Sequence, residues 1–347
     1  MNKKINDDFK FDVSTFDDNH KKNSAISKNE IEEFMNKVLH KQWYELWVKN
    51  FALNLSNIWL ENSASELKLD IENKKSYPSI VIGRGPSLQK NEHLKLIAES
   101  NFHGNIICTD GILIKALKSG VTPQKFKNFF VVTIDAGQDI QEFYDDEIVQ
   151  EFGKNITGIF STVTHPETVK MARHVGIKPF WTHALFDYNE GEKSFNRTSA
   201  LMVRAKNHSN GLPAIQTGGN VGTSAWFVAW RILKSKLVAL TGIDHSWRDD
   251  DPWEKIVTHG FQHPNKVEIN QESKTAKRLF PKIYNPEFDC VCILDPIFQY
   301  YSSALKEFIE RSPSWLKTIN ATEGGCIFGK NIHCMKLKDF LHTLNPK

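Results

Sequence analysis

The chain has 347 residues, of which 40% are apolar and 24% charged, with a formal net charge of +3; this is typical of a globular protein with a full core. So small a charge, without blocks of lysine and arginine, excludes an extended nucleic-acid-binding surface. The first thirty residues contain no apolar core for a secretory signal, and three basic residues interrupt the most apolar stretch, residues 224–243, so we expect a cytoplasmic protein without a membrane span.

The N-terminal region divides into a polar segment and a helical one. Residues 1–28 are polar and are predicted to form a disordered tail. A capping box at residues 27–30, followed by apolar residues at helical spacing, predicts a helical N-terminal extension over residues 29–75. Its aromatic residues, Trp47 among them, lie on one face of that helix, and we expect them to pack in the core rather than to hold a ligand.

Short apolar runs alternate with helical patterns from residue 79 onward. The runs lie at residues 79–82, 105–109, 129–134, 156–160 and 178–181. Strands separated by helices in this way are typical of βαβ units. The pattern predicts an α/β fold, a Rossmann-like, doubly wound and mostly parallel sheet that forms a nucleotide-binding domain over residues 76–247.

The first of these runs leads into a candidate phosphate loop. It ends at Gly83 and Gly85, which permit a tight turn, and Pro86 suits the first position of a helix. A helix N-terminus attracts phosphate through its free N–H groups and its dipole, and Ser87 lies beside it. The loop lacks the third glycine of the dinucleotide fingerprint and the Gly-Lys-Ser/Thr of a P-loop. An ordinary strand-to-helix turn is the alternative interpretation.

Acidic residues follow several of the predicted strands. Asp110 follows the second strand, Asp135 the third, and Asp244 a later buried strand that ends at Gly242. Ligands of parallel sheets bind beyond the carboxyl ends of the strands. We therefore expect Asp135 and Asp244 to lie near each other across the switch point of the sheet and to hold Mg²⁺.

A second glycine-opened helix and two histidines complete the candidate site. Residues 217–220 (Thr-Gly-Gly-Asn) open a long helix and predict a second phosphate site. His245, directly after Asp244, and His183 are candidates for a general base, because histidine titrates near neutral pH. For each, a satisfied core or surface histidine is the alternative.

The remaining segments are less informative. Residues 187–212 form a long polar stretch, interpreted either as a mobile flap over the site or as disorder. Residues 248–347 are predicted to be a C-terminal insertion and closing helices packed on the same domain. His259 and His263 have the spacing of a helical metal pair, but the glycine and proline that follow them disfavour a helix there. Residues 249–251, all aspartate, are interpreted as a solvated turn.

Taken in order, these motifs resemble the 6-hydroxymethylpterin diphosphokinase MptE-like family, which also contains the bacterial motility-associated Maf factors. The resemblance covers roughly residues 77–344 and includes the loop at residues 320–325. Residues 217–221 depart from the archaeal diphosphokinases, which have additional acids at that place. The resemblance implies a Rossmann-like nucleotide-binding fold and transferase activity.

Three hypotheses follow for the activity. The first is a diphosphokinase that moves diphosphate from ATP, with Mg²⁺, to a hydroxymethyl-bearing small-molecule acceptor. The second is a Maf-like glycosyltransferase that uses a CMP-activated nonulosonic, sialic-like acid without an essential metal. The third is a nucleotide-binding module without turnover. The predicted catalytic residues are Asp135, Asp244 and His245, and the predicted nucleotide or phosphate contacts are Gly83, Gly85, Pro86, Ser87, Asp110, Thr217, Gly218, Gly219, Asn220, Gly242, Glu323 and Gly324.

Overall fold

A computed structural model of the chain describes residues 43–67, 76–186, 195–196, 199, 211–259 and 270–344. The predicted tail and capping box, His263 and most of the predicted flap lie outside the described residues. Over the described ranges, no helix combines the length and apolarity that crossing a membrane requires.

A large parallel sheet forms the centre of the molecule. Its strand order is β1-β6-β5-β4-β3-β2-β8-β12-β13, with β7 beside β6, and β10-β11-β9 form a small antiparallel sheet. The strands are β1 (Asn62–Ser63), β2 (Ser79–Ile82), β3 (Asn105–Thr109), β4 (Asn128–Thr133), β5 (Thr157–Ser161), β6 (Lys178–Leu185), β7 (Ala214–Gln216), β8 (Leu237–Thr241), β9 (Trp247–Arg248), β10 (Lys282–Asn285), β11 (Cys290–Ile293), β12 (Lys317–Asn320) and β13 (Ile332–Cys334).

The strand order reverses at β2. Strands β3 to β6 follow one another on one side of β2, whereas β8, β12 and β13 lie on the other side. The crevice beyond the ends of β2 and β8 is therefore the topological switch point, where doubly wound sheets bind ligands. The predicted Rossmann-like, mostly parallel sheet is confirmed. Strands β12 and β13, which extend the sheet from the C-terminal region, were not predicted.

Helices cover both faces of the sheet. Alternate residues of β2 point to opposite cores, because Ile80 and Ile82 belong to one buried cluster and Val81 to the other. The helices are α1 (Tyr44–Leu60), α2 (Ser87–Lys90), α3 (His93–Glu99), α4 (Leu113–Lys118), α5 (Glu147–Phe152), α6 (Pro166–His174), α7 (Val221–Phe227, continued by a π-helical turn, Val228–Ile232), α8 (Trp253–Thr258), α9 (Lys274–Leu279), α10 (Pro296–Glu310) and α11 (Leu337–Leu344), with 3₁₀ turns at Ala64–Glu66, Asp110–Ile112, Gln138–Phe143 and Gly153–Asn155.

Helix α1 packs on the loops that follow β4 and β5. Trp47 is buried and stacks on Phe186 with 4.0 Å between the ring centroids, which confirms the prediction that it packs in the core. The buried Asn50 side chain donates to the carbonyl oxygens of Ala136 and Val163, each at 3.0 Å. The N-terminal helix thus fixes two loops at the carboxyl edge of the sheet, where the candidate site lies.

Candidate functional site

The loops that follow β2 and β8 bind each other at the switch point. Gly83 N donates to Thr241 O at 2.8 Å, and Gly85 N donates to Gly242 O at 2.9 Å. A Cβ atom at residue 83 would overlap Gly242 O. These glycines are therefore required by the close approach of two protein loops, and their N–H groups already have acceptors.

Asp244 fills the place where the sequence predicted a phosphate. Its side chain is buried, with 7% of its surface exposed. Ser87 donates to it twice, from Oγ to Oδ2 at 2.8 Å and from its backbone N to Oδ1 at 3.3 Å. Burial raises the pKa of Asp244 to about 6, and the Ser87 hydrogen bonds oppose that shift. The anion at the start of the four-residue helix α2 is thus the protein's own carboxylate.

Asp110, at the end of β3, has an unpaired buried oxygen. Gly111 N donates to Oδ1 at 2.7 Å, whereas Oδ2 has no hydrogen-bond partner among the described residues. Burial and, to a smaller extent, the charge of Asp135 raise the pKa of Asp110 to about 7, against the opposing effects of the Gly111 hydrogen bond and the Arg84 charge. A buried oxygen without a donor fits a cation or a ligand donor group.

Asp135 is exposed and lies two residues beyond β4, the strand next to β3. Adjacent strands are about 4.8 Å apart, so Asp110 and Asp135 emerge from neighbouring positions. The end of β8 is three strand intervals from β4, or about 14 Å along the sheet. The prediction that Asp244 is the near neighbour of Asp135 is therefore wrong, and the strand order places Asp110 there instead.

The segment at residues 217–220 begins helix α7 as predicted. The Asn220 side chain accepts from Thr223 N at 2.9 Å and caps the helix. Gly218 and Gly219 have φ values of 52° and 82°, which glycine adopts readily. A Cβ at residue 219 would lie 2.5 Å from the Tyr301 ring of α10. The glycines thus allow the start of α7 to approach α10 closely. The predicted contacts of Thr217, Gly218 and Gly219 with phosphate stay predictions.

His245 is a buried histidine in a strained backbone conformation. Its φ is 46°, 8% of its surface is exposed, and its Nδ1 has no hydrogen-bond partner in the described part of the chain. Burial, together with the nearby Lys306 charge, lowers its pKa to about 3, so the ring is neutral at pH 7. Its ring centroid lies 5.9 Å from that of Tyr301. Strained residues with unpaired polar atoms are found preferentially at functional sites.

His183, the other candidate base, is a satisfied core histidine. Thr162 Oγ1 lies 3.0 Å from its Nδ1 and Ser199 Oγ lies 3.2 Å from its Nε2. Burial lowers its pKa to about 4. Both ring nitrogens therefore have partners, and the structure favours the alternative interpretation for this residue.

Glu323 also has partners within the protein. Its Oε1 accepts from Leu337 N at 3.0 Å, at the start of α11, and lies 3.1 Å from Nε2 of the buried His93. A Cβ at the neighbouring Gly324 would meet no atom within 4 Å. Their predicted contact with a nucleotide stays a prediction, but the Glu323 carboxylate already has a structural role.

Sequence reasoning missed Arg84, the residue between the two loop glycines. Its side chain is exposed, its guanidinium lies 5.9 Å from the centroid of the Phe143 ring, and its charge acts on Asp110. The signal available in the sequence was a cation at the centre of a candidate phosphate loop. Arg84 thus places a basic side chain close to Asp110, which with Asp135 is called the acid pair below, and arginine is suited to bind phosphate.

Comparisons with known proteins bear on the family of the chain. The model of the family described as "6-hydroxymethylpterin diphosphokinase MptE-like" matches residues 49–250. No curated protein matches the chain. Among solved structures, the Maf glycosyltransferase of Magnetospirillum magneticum AMB-1 is similar, with 17% identity and a TM-score of 0.46 over 75% of this chain. The match spans 33% of that protein's length. Because the family model covers more than half of the chain, the protein belongs to the 6-hydroxymethylpterin diphosphokinase MptE-like family, whose name is that of a transferase.

Proposed function

We propose that the protein is a nucleotide-dependent transferase that moves the diphosphate of ATP to a hydroxymethyl-bearing acceptor. The observation that supports this most directly is the acid pair at the ends of β3 and β4. Asp110 has a buried oxygen without a donor, and the charge of Asp135 acts on it. Membership of the diphosphokinase-named family agrees with this choice.

The acid pair fits a magnesium ion better than the pair predicted from the sequence. Mg²⁺ is usually bound by one or two carboxylates, with substrate phosphates and water as its other ligands. Asp110 and Asp135 would hold the ion through neighbouring carboxylates, and the unpaired Asp110 Oδ2 is available for that contact. When bound, Mg²⁺ neutralises charge on the phosphates.

The protein's own groups then position the reactants. Arg84 is exposed beside the acid pair and offers several N–H donors to phosphate oxygens. The acceptor oxygen forms a bond to the β-phosphorus of ATP, the bond from that phosphorus to the α-phosphate oxygen breaks, and AMP leaves. Catalysis of this kind depends mainly on positioning and on charge stabilisation.

A second candidate is a glycosyltransferase that uses a CMP-activated nonulosonic acid. The observation that favours it is His245, a neutral and buried histidine with an unpaired Nδ1 next to Tyr301. Such a ring binds a donor group without any metal. This candidate therefore predicts nucleotide binding that is indifferent to EDTA.

A thermal-shift panel separates these functions. A ligand at one hundred times its Kd stabilises the native state by about 2.7 kcal/mol, which raises the Tm by roughly 4 °C in a protein of this size. The proposed function predicts this shift with ATP and MgCl₂, its reduction by EDTA, and little shift with CMP. The glycosyltransferase predicts the reverse order. A non-catalytic module predicts binding without release of AMP or CMP.

A matched pair of variants tests the acid pair itself. Asp135→Asn is expected to weaken magnesium-dependent ATP binding more than tenfold, or more than about 1.4 kcal/mol. Asp145→Asn, an exposed acid further along the chain, serves as the control and is expected to bind like the wild type. Equal affinities of the two variants would contradict the proposed magnesium site.

A further inference from the structure

His259, directly after helix α8, is bound to a buried aspartate, Asp295. Asp295 is 2% exposed and caps helix α10, with Oδ1 accepting from Phe298 N at 2.8 Å. Its Oδ2 is 2.6 Å from Trp247 Nε1 and 2.6 Å from His259 Nδ1. A carboxylate only accepts, so Nδ1 of His259 is the donor in this bond, and in a neutral ring Nε2 then carries the lone pair.

The orientation of the His259 ring is fixed on several sides. Its centroid lies 5.2 Å from that of Trp247, edge-on, and 4.5 Å from that of Phe298. The side chain is 29% exposed. Asp295 is its one ion-pair partner, and Nε2 has no hydrogen bond, as far as the described residues show. A histidine held at Nδ1 by a carboxylate, with Nε2 accessible, has the arrangement of a general base.

Tyr301 connects this histidine to the rest of the candidate site. Its ring centroid lies 6.3 Å from that of Phe298 and 5.9 Å from that of His245. Burial raises the pKa of Tyr301, and the negative charges of Asp135 and of Asp295 raise it further. The ring contacts thus run from His259 through Phe298 and Tyr301 to His245, and they connect the His259–Asp295 pair to the candidate site.

We propose that His259, oriented by Asp295, is the general base that accepts the proton of the acceptor hydroxyl. This inference rests on the proposed function. As the acceptor oxygen forms its bond to the β-phosphorus and AMP departs, the O–H bond breaks and its proton passes to His259 Nε2. The resulting imidazolium is stabilised by the Asp295 carboxylate. In this proposal His245, whose backbone is strained and whose ring is buried, contacts the nucleotide and does not accept the proton.

The test measures AMP formed from ATP, MgCl₂ and 6-hydroxymethylpterin, the compound in the family description. We expect kcat of His259→Gln to fall by 10²–10⁴-fold, the usual contribution of general base catalysis, with the Kd for ATP unchanged within about threefold. Added imidazole is expected to restore part of the activity of His259→Gly. The control, His333→Gln, changes an exposed histidine on β13 and is expected to retain wild-type kcat.

Each result supports or overturns a distinct claim. Wild-type kcat in His259→Gln would overturn the role of His259 while leaving the proposed function standing. A loss of kcat that imidazole does not restore in His259→Gly would show a structural role and also overturn the base. Wild-type protein that binds ATP but forms no AMP would overturn the proposed function, and the role of the base with it.

Discussion

Substituting Gly85 by alanine tests whether the loop after β2 is shaped by protein packing or by a phosphate. A Cβ at this position would overlap Asp244 Oδ2 and lie 2.8 Å from Gly242 O. The Asp244 carboxylate must therefore move, and the two hydrogen bonds from Ser87 are lost or weakened. A phosphate loop, in contrast, predicts that the substitution removes nucleotide binding and leaves the fold intact.

The expected loss of stability follows from these contacts. Hydrogen bonds to a charged group contribute about 1.5–3 kcal/mol each, and overpacking a core costs about 1–3 kcal/mol. Because the two effects share the same displacement, we expect a total of about 4 kcal/mol. That is a large part of the 5–15 kcal/mol by which domains are stable. It corresponds to a fall in Tm of roughly 5 °C.

Urea denaturation of matched variants measures this loss. Gly324→Ala is the control, because a Cβ there meets no atom within 4 Å, and we expect a change within about 0.5 kcal/mol. In an Asp244→Ala background the alanine at residue 85 has more space. We therefore expect Gly85→Ala to lower the free energy of unfolding by over about 1 kcal/mol less in this background than in the wild type. The packing explanation would be refuted if Gly85→Ala lowered the free energy of unfolding equally in the wild type and in Asp244→Ala. It would also be refuted if Gly85→Ala were as stable as Gly324→Ala.

Three further predictions use buried polar groups. The pKa of Asp110 is about 7 in the folded protein and about 4 in the unfolded chain. The free energy of unfolding therefore falls as the pH rises through this range, by about 3 kcal/mol between pH 5 and pH 8. Urea denaturation of Asp110→Asn should not show this fall. Asn50→Ala leaves two buried carbonyl groups without their donor and should cost about 2–4 kcal/mol in urea denaturation, whereas Asn57→Ala, on the same helix, should cost under about 1 kcal/mol. Glu323→Gln weakens the bonds to Leu337 N and to its histidine partner and should lower stability by about 1–2 kcal/mol; an unchanged Tm would contradict this role.

The sequence alone was sufficient for strands β2 to β6 and β8 and for the edge of the sheet at which the candidate site lies. The runs at residues 79–82 and 105–109 match β2 and β3 in their bounds, because a strand buried on both faces is a continuous apolar run bounded by turn residues. Alternation with helices then implies parallel strands, whose carboxyl ends share one edge. The local pattern therefore assigns the acids after β3, β4 and β8 to that edge.

Only the tertiary structure decided which of these groups meet. Pairing between strands distant in the chain depends on packing over the whole sheet, and no local pattern encodes it. The strand order makes Asp110 the neighbour of Asp135 and places Asp244 against Ser87. In the same way the Asp295 cap has the pattern of an ordinary helix start in the sequence, and its bond to His259 exists because α10 packs against a segment 36 residues earlier. The sequence thus determined the residue types at the site, and long-range packing determined their partners.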